Sequence, residues 1–130
     1  MDEIRVVRAS ELSAQTAQTP GMTRMTAIDG ASVGARTLWV GRATIEPSTS
    51  SGAHHHGDCE SAIFVISGNA TLRYGDGLQL SVEAGPGDYL YIAPNVIHQE
   101  LNLSDSEPID CIVIRDSQEN LVVNVDLPGA

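Results

Sequence analysis

An all-β domain is predicted for this chain by three features of its 130 residues. From Thr37 onward, short segments rich in Val, Ile, Leu and aromatic residues recur at close intervals, separated by Gly, Pro, Asn, Asp and Ser. No segment in that region carries an apolar stripe at helical spacing over three turns. The 42% hydrophobic content suffices for one core without disulfide staples. Closing the strands into a barrel or sandwich then buries both their faces and their edges.

Taken in order, strands are expected at 37–46, 62–67, 70–74, 78–83, 88–93, 97–103, 111–115 and 121–125. YGDG at 74–77 supplies an Asp-Gly hairpin signal, and AGPGD at 84–88 sets two glycines around a proline, so both stretches read as turns. Residues 1–36 differ in composition and read as an arm over the barrel or a partner subunit, leaving 37–130 as the barrel. Within the arm, IRVVR at 4–8 is a candidate strand and SELSAQ a short helical turn capped by Ser10; the Thr, Gly and Ser that follow read as loop.

Composition narrows the function. Seventeen acids against seven bases give a formal charge of -10, which repels phosphate backbones and anionic lipid surfaces, so no nucleic-acid or membrane partner is expected. The segment MDEIRVV carries two acids and no apolar stretch follows it, so neither a secretory signal nor a membrane span is expected. Cys59 and Cys111 are too few for a disulfide framework, and Cys111 sits in the apolar run CIVI, so a reducing cytoplasm is the expected setting.

The chemistry concentrates in GAHHHGDCESAIFVISG at 52–68. Alternate residues of a strand share a face, so His54 and His56 point together while His55 points away. Glu60 follows a short turn and can return an oxygen donor to the same point; nitrogen and oxygen donors of this kind suit Fe, Mn, Ni, Cu or Zn. Further on, IHQELN sets His98 at a strand start with Glu100 and Asn102 on its face. A polar loop or a satisfied core histidine remains the plain alternative for each group. These are the chain's four histidines, however, and they fall in two segments flanked by similar turn residues.

Those two segments resemble the motifs of the cupins. The first motif of that family, G-x5-H-x-H-x(3 or 4)-E-x6-G, corresponds to His54, His56, Glu60 and Gly68; the second, G-x5-P-x-G-x2-H-x3-N, to Gly87, His98 and Asn102. The resemblance spans roughly 37–116 and implies a single small β-barrel of jelly-roll type. It also implies one divalent transition metal held by His54, His56, Glu60 and His98 in the barrel mouth, and a homodimer. The chain departs from the pattern in three places. Seven residues separate Glu60 from Gly68 where six are expected, so counting back from Gly68 reaches Ser61. A one-residue slip reverses a side chain's face, so Glu60 ligates only if the turn or a bulge near Cys59 to Ser61 absorbs the extra residue. In the second motif the proline is displaced to Pro94, and Asn95 stands in the glycine position, where asparagine best tolerates a left-handed turn.

Four protein ligands would leave one or two coordination positions open, enough to polarise a carbonyl, stabilise an enolate or bind dioxygen beside a chelated substrate. Ile63 and Val65 are expected to wall the site. Arg42 and Arg115, in a chain poor in cations, are candidates to anchor a substrate carboxylate or are exterior strand residues. Glu100 is a candidate inward acid, Tyr89 and Tyr91 alternate with Leu90 and Ile92 as core or surface, and Cys59 reads as a turn residue. The sequence therefore predicts a metal-dependent enzyme acting on a polar small molecule, with dioxygenase, isomerase or epimerase, and decarboxylase chemistry all implied by the resemblance. The alternatives are a non-catalytic module for a small ligand or metal, and a structural dimerisation unit.

Overall fold

A computed structural model describes residues 4–119 and 121–127. Among them two antiparallel sheets face each other in a jelly roll. The first sheet runs β1 (Thr23–Ile28), β2 (Trp39–Ile45), β10 (Ile109–Arg115), β5 (Ser61–Ser67), β8 (Tyr89–Ile92). The second runs β11 (Val123–Asn124), β4 (His54–His55), β9 (His98–Asn102), β6 (Ala70–Tyr74), β7 (Leu80–Ala84), with β3 (Thr49–Ser50) also on β9. Among the described residues no pairing joins β7 to β8, so the jelly roll stays open along that side.

Alternation decides what each strand buries. On β2, Trp39, Ala43 and Ile45 point inward, and across the sheet Ile63 and Val65 of β5 meet Cys111 and Val113 of β10. Ile63 and Val65 are thus inward as their alternation predicts. Gly41 is a packing requirement: a Cβ there would stand 2.5 Å from the Trp39 indole, which lies back across the strand. Gly68 ends β5 at φ +83 under the Pro108 carbonyl, 2.4 Å from where a Cβ would be, so the motif glycine answers both a left-handed backbone and a close approach.

The expected turns form. Leu78 N–H donates to Gly75 O at 3.0 Å after Tyr74, and Asp88 N–H donates to Gly85 O at 3.0 Å before β8. Leu78 itself is buried at φ 56, which delays β7 to Leu80.

The arm is where the structure differs from the sequence reading. Residues 4–8 are not a strand; Arg5 instead donates to Val33 O at 3.2 Å. The helical turn is a single 3-10 turn at Ala9–Glu11, and its cap is Glu11 Oε1 on the Arg8 N–H at 2.8 Å rather than Ser10. The stretch read as loop contains β1, hydrogen-bonded to β2. Its inward residues, Met22, Arg24 and Thr26, are mostly polar, so apolar alternation could not announce the strand. A four-residue helix, α1 (Gly30–Val33), follows, capped by Asp29 on the Ser32 N–H at 2.9 Å.

Candidate metal centre

His54 lies on β4 and pairs directly with His98 at the start of β9, and His56 follows β4. Two-residue alternation turns His54 and His56 inward, to 0% and 4% exposure, and sends His55 outward to cap the Gly57 N–H at 3.1 Å. One donor nitrogen from each of His54, His56 and His98 lies within 4.8 Å of the others, and the ring centroids are 4.4 to 5.1 Å apart. The turn that presents His98 is tied to the loop after His56. Asn95 takes φ 62, its N–H donates to Gly57 O at 2.8 Å, and its Nδ2 donates to Asp58 Oδ1 at 2.8 Å. Asparagine therefore performs the left-handed turn where the family pattern has glycine, as its tolerance predicts.

All three rings have the same proton arrangement. His54 Nδ1 faces Gly52 O at 2.8 Å, His56 Nδ1 faces Leu121 O at 2.6 Å, and His98 Nδ1 faces Val96 O at 2.9 Å. A carbonyl only accepts, so each Nδ1 carries a hydrogen and each ring presents Nε2 to the cluster. This is how a protein fixes imidazoles as metal ligands. Glu100 borders two of the three rings: Oε2 lies 3.4 Å from His54 Nε2, and Oε1 lies 3.4 Å from His98 Nε2. Lone pairs facing carboxylate oxygens repel unless a proton or a metal ion stands between them, and His98 Nε2 has no hydrogen-bond partner. The residues present therefore fit a divalent transition metal.

Electrostatics act on these groups in different directions. Burial, reinforced by Arg115, pushes His56 down to about 2, so it is neutral. Burial opposes charge on His98, but the Glu100 carboxylate outweighs it and holds that histidine above its usual range. Burial likewise opposes ionisation of Glu100, and His54 and His98 outweigh it, holding the carboxyl well below its usual range. Ser51 Oγ donates to Glu100 Oε2 at 2.9 Å and accepts the Glu100 N–H at 2.9 Å, which fixes the carboxylate in place.

The structure does not bring Glu60 to this cluster. Its side chain is exposed and accepts from the Tyr91 hydroxyl on the outer surface, while its N–H donates to Asp116 Oδ1 at 3.0 Å. A bulge does lie between Glu60 and Gly68, where Val65 and Ser67 pair with the consecutive residues Cys111 and Asp110, but it falls at the far end of β5 and does not turn Glu60 inward. β5 starts at Ser61, which is 3% exposed and has an Oγ without a partner, so the inward position reached by counting back from Gly68 belongs to serine.

Two arginines also enter the site. Arg24 Nη2 lies 3.3 Å from His54 Nε2, and Arg115 Nη2 lies 3.4 Å from His56 Nε2. Arg115 stacks on Trp39 with Cζ 4.9 Å from the ring centroid. Arg42 instead sits on the outer face in an ion pair with Asp110, the exterior role its strand position allowed. Tyr89 and Tyr91 form the exposed pair of β8, and Leu90 and Ile92 turn inward. Cys59 Sγ donates to His56 O at 3.1 Å, a turn-holding role. Arg24 and Ser51 were missed from sequence, because neither carries a spacing signal; Ser61 had one, the count back from the glycine.

Comparison with known proteins then settles the family. A family model described as the cupin domain matches residues 41–115, more than half of the chain. The chain belongs to the cupin family. No curated protein matches it by sequence. Among solved structures, the polyketide cyclase RemF from Streptomyces resistomycificus is 22% identical with a TM-score of 0.76, over 97% of this chain and 88% of that one. An S161A mutant of Bacillus subtilis oxalate decarboxylase OxdC is 21% identical with a TM-score of 0.72, over 85% of this chain but 30% of that one. A Klebsiella pneumoniae protein with a double-stranded β-helix domain is 17% identical with a TM-score of 0.69, over 97% and 99%. At these identities the likeness concerns the cupin fold.

Proposed function

We propose that this cupin is a metal-dependent enzyme acting on a polar small molecule. The observation that carries the reading is the shared orientation of His54, His56 and His98: three backbone carbonyls hold the Nδ1 atoms and turn three Nε2 atoms toward one buried space. A divalent ion bound there would supply Lewis acidity toward a carbonyl or carboxylate oxygen of the substrate. Glu100, ionised and immobilised by Ser51, stands beside that position, where its oxygens can take a proton from the substrate or add an oxygen donor to the ion. Arg24 and Arg115 orient the ligand, and the apolar walls at Ile63, Val65 and Leu72 exclude bulk water. That a polyketide cyclase, an oxalate decarboxylase and an oxalate oxidase share the fold favours catalysis over simple ligand storage. Among dioxygenase, isomerase or epimerase, and decarboxylase chemistry, a positioned carboxylate beside an oxygen-binding site suits proton abstraction next to a carbonyl best.

Elemental analysis of purified wild type beside His56→Ala and Glu60→Ala tests the reading. Wild type and Glu60→Ala should carry about one equivalent of metal, and His56→Ala should lose it. Equal metal in all three, or none in wild type purified without chelator, rejects the site.

A further inference from the structure

Several buried hydrogen-bond donors around the site have no acceptor. Arg24 and Arg115 are 1% and 2% exposed, yet Arg24 Nε and both Nε and Nη1 of Arg115 have no partner. Trp39 Nε1 and Ser61 Oγ are also buried without one. The outer-face Arg42 shows the usual arrangement, a guanidinium neutralised by a neighbouring carboxylate. Inside, two guanidiniums face Glu100, the one buried acid among the described residues. Metal binding sharpens the imbalance twice over. It adds two positive charges, and it takes the His54 and His56 lone pairs against which Arg24 Nη2 and Arg115 Nη2 now rest. Uncompensated charge in a dry interior is among the costliest arrangements in a protein, so an anion is required to complete the site.

A cavity beside the cluster gives that anion its other half. It has a volume of about 340 Å³ and an apolar wall that includes Leu72, Val82, Leu90, Ile92 and Val96. Val82 and the tyrosines of β8 are exposed at its mouth, and the buried His98 is at its inner end. Strand register carries the wall into the arginine layer, since Ile92 pairs with Ser61 and Ser61 with Arg115.

We propose that the site binds a small amphipathic carboxylate, its oxygens between Arg24 and Arg115 and its apolar body along the Leu72, Val82 and Leu90 wall. This rests on the metal-enzyme reading for the ion and goes beyond it in naming the substrate class. A short aliphatic 2-oxo acid has the required form: two adjacent oxygens at one end and a branched hydrocarbon at the other.

Trp39, the single tryptophan, stacks on Arg115 and reports events there through its fluorescence. The experiment titrates the full chain, metal-free and loaded with Co2+, with 4-methyl-2-oxopentanoate, its neutral amide, and pyruvate. The branched acid should give a saturable Trp39 response, with the amide and pyruvate each about tenfold weaker or more. Co2+ should tighten binding of the acid, and Arg24→Gln and Arg115→Gln should each weaken it about tenfold or more. Equal binding of acid and amide by wild type overturns the proposal without recourse to any variant, as does the absence of a response from both forms of the chain. Failure to take up Co2+ overturns the metal reading instead, and the metal-free titration then still decides whether the arginines select a carboxylate.

Discussion

Which ring nitrogen carries the proton governs the chemistry of His54, His56 and His98. Backbone carbonyls hold the hydrogen on Nδ1 in each, and burial keeps His56 neutral, pushed down to about 2. His98 is the exception, because burial disfavours its charge while Glu100 raises its pKa above the ordinary histidine value. The sign follows. A metal needs bare Nε2, so uptake expels the proton that Glu100 helps His98 retain; affinity rises as pH climbs through the raised pKa and falls in acid. Calorimetry in buffers of different ionisation enthalpy should detect proton release on metal uptake, growing as pH falls, and Glu100→Gln should reduce that release. An unchanged count in Glu100→Gln would show that the carboxylate does not control His98.

At the scale of elements, the turn at Asn95 joins the two histidine segments through Gly57 O and Asp58. Asn95→Ala should cost about 1 to 2 kcal/mol of stability, since alanine resists the left-handed backbone. Asn95→Gly should cost less, and a denaturant midpoint comparison of the two separates backbone strain from the lost side-chain bond. This turn was legible in advance because its requirement is local: one residue, one backbone region. His54, His56 and His98 were legible because a period of two and a family pattern agreed. Glu60 misled, since its distance from His56 fits the pattern while its distance from Gly68 does not, and the alternation of Ser61, Ile63 and Val65 turns Ser61 inward and leaves Glu60 outside. β1 was hidden for the opposite reason. Thr26 and Arg24 face inward, Arg24 against His54, so the strand lacks the apolar alternation by which strands are recognised.

For the whole molecule, fold and candidate site are coupled, because the three histidines come from β4, the residue just after it and β9 of one sheet, and the arginines from β1 and β10 of the other. A metal that binds only the folded chain stabilises it by about 2.7 kcal/mol at a hundredfold excess over Kd. That is roughly 10 °C in Tm for a domain of this size, reversed by chelator. No helix among the described residues is long and apolar enough to cross a membrane. We propose that two copies pair, with the exposed Leu80 and Val82 of the edge strand β7 available for contact; sedimentation showing only monomer at micromolar concentration would reject this. The most direct test of the central claim is anomalous diffraction from crystals of the metal-loaded chain. One strong peak about 2.0 to 2.2 Å from the Nε2 atoms of His54, His56 and His98 is predicted. A peak at Glu60 or elsewhere on the surface, with those three nitrogens left free, would contradict it.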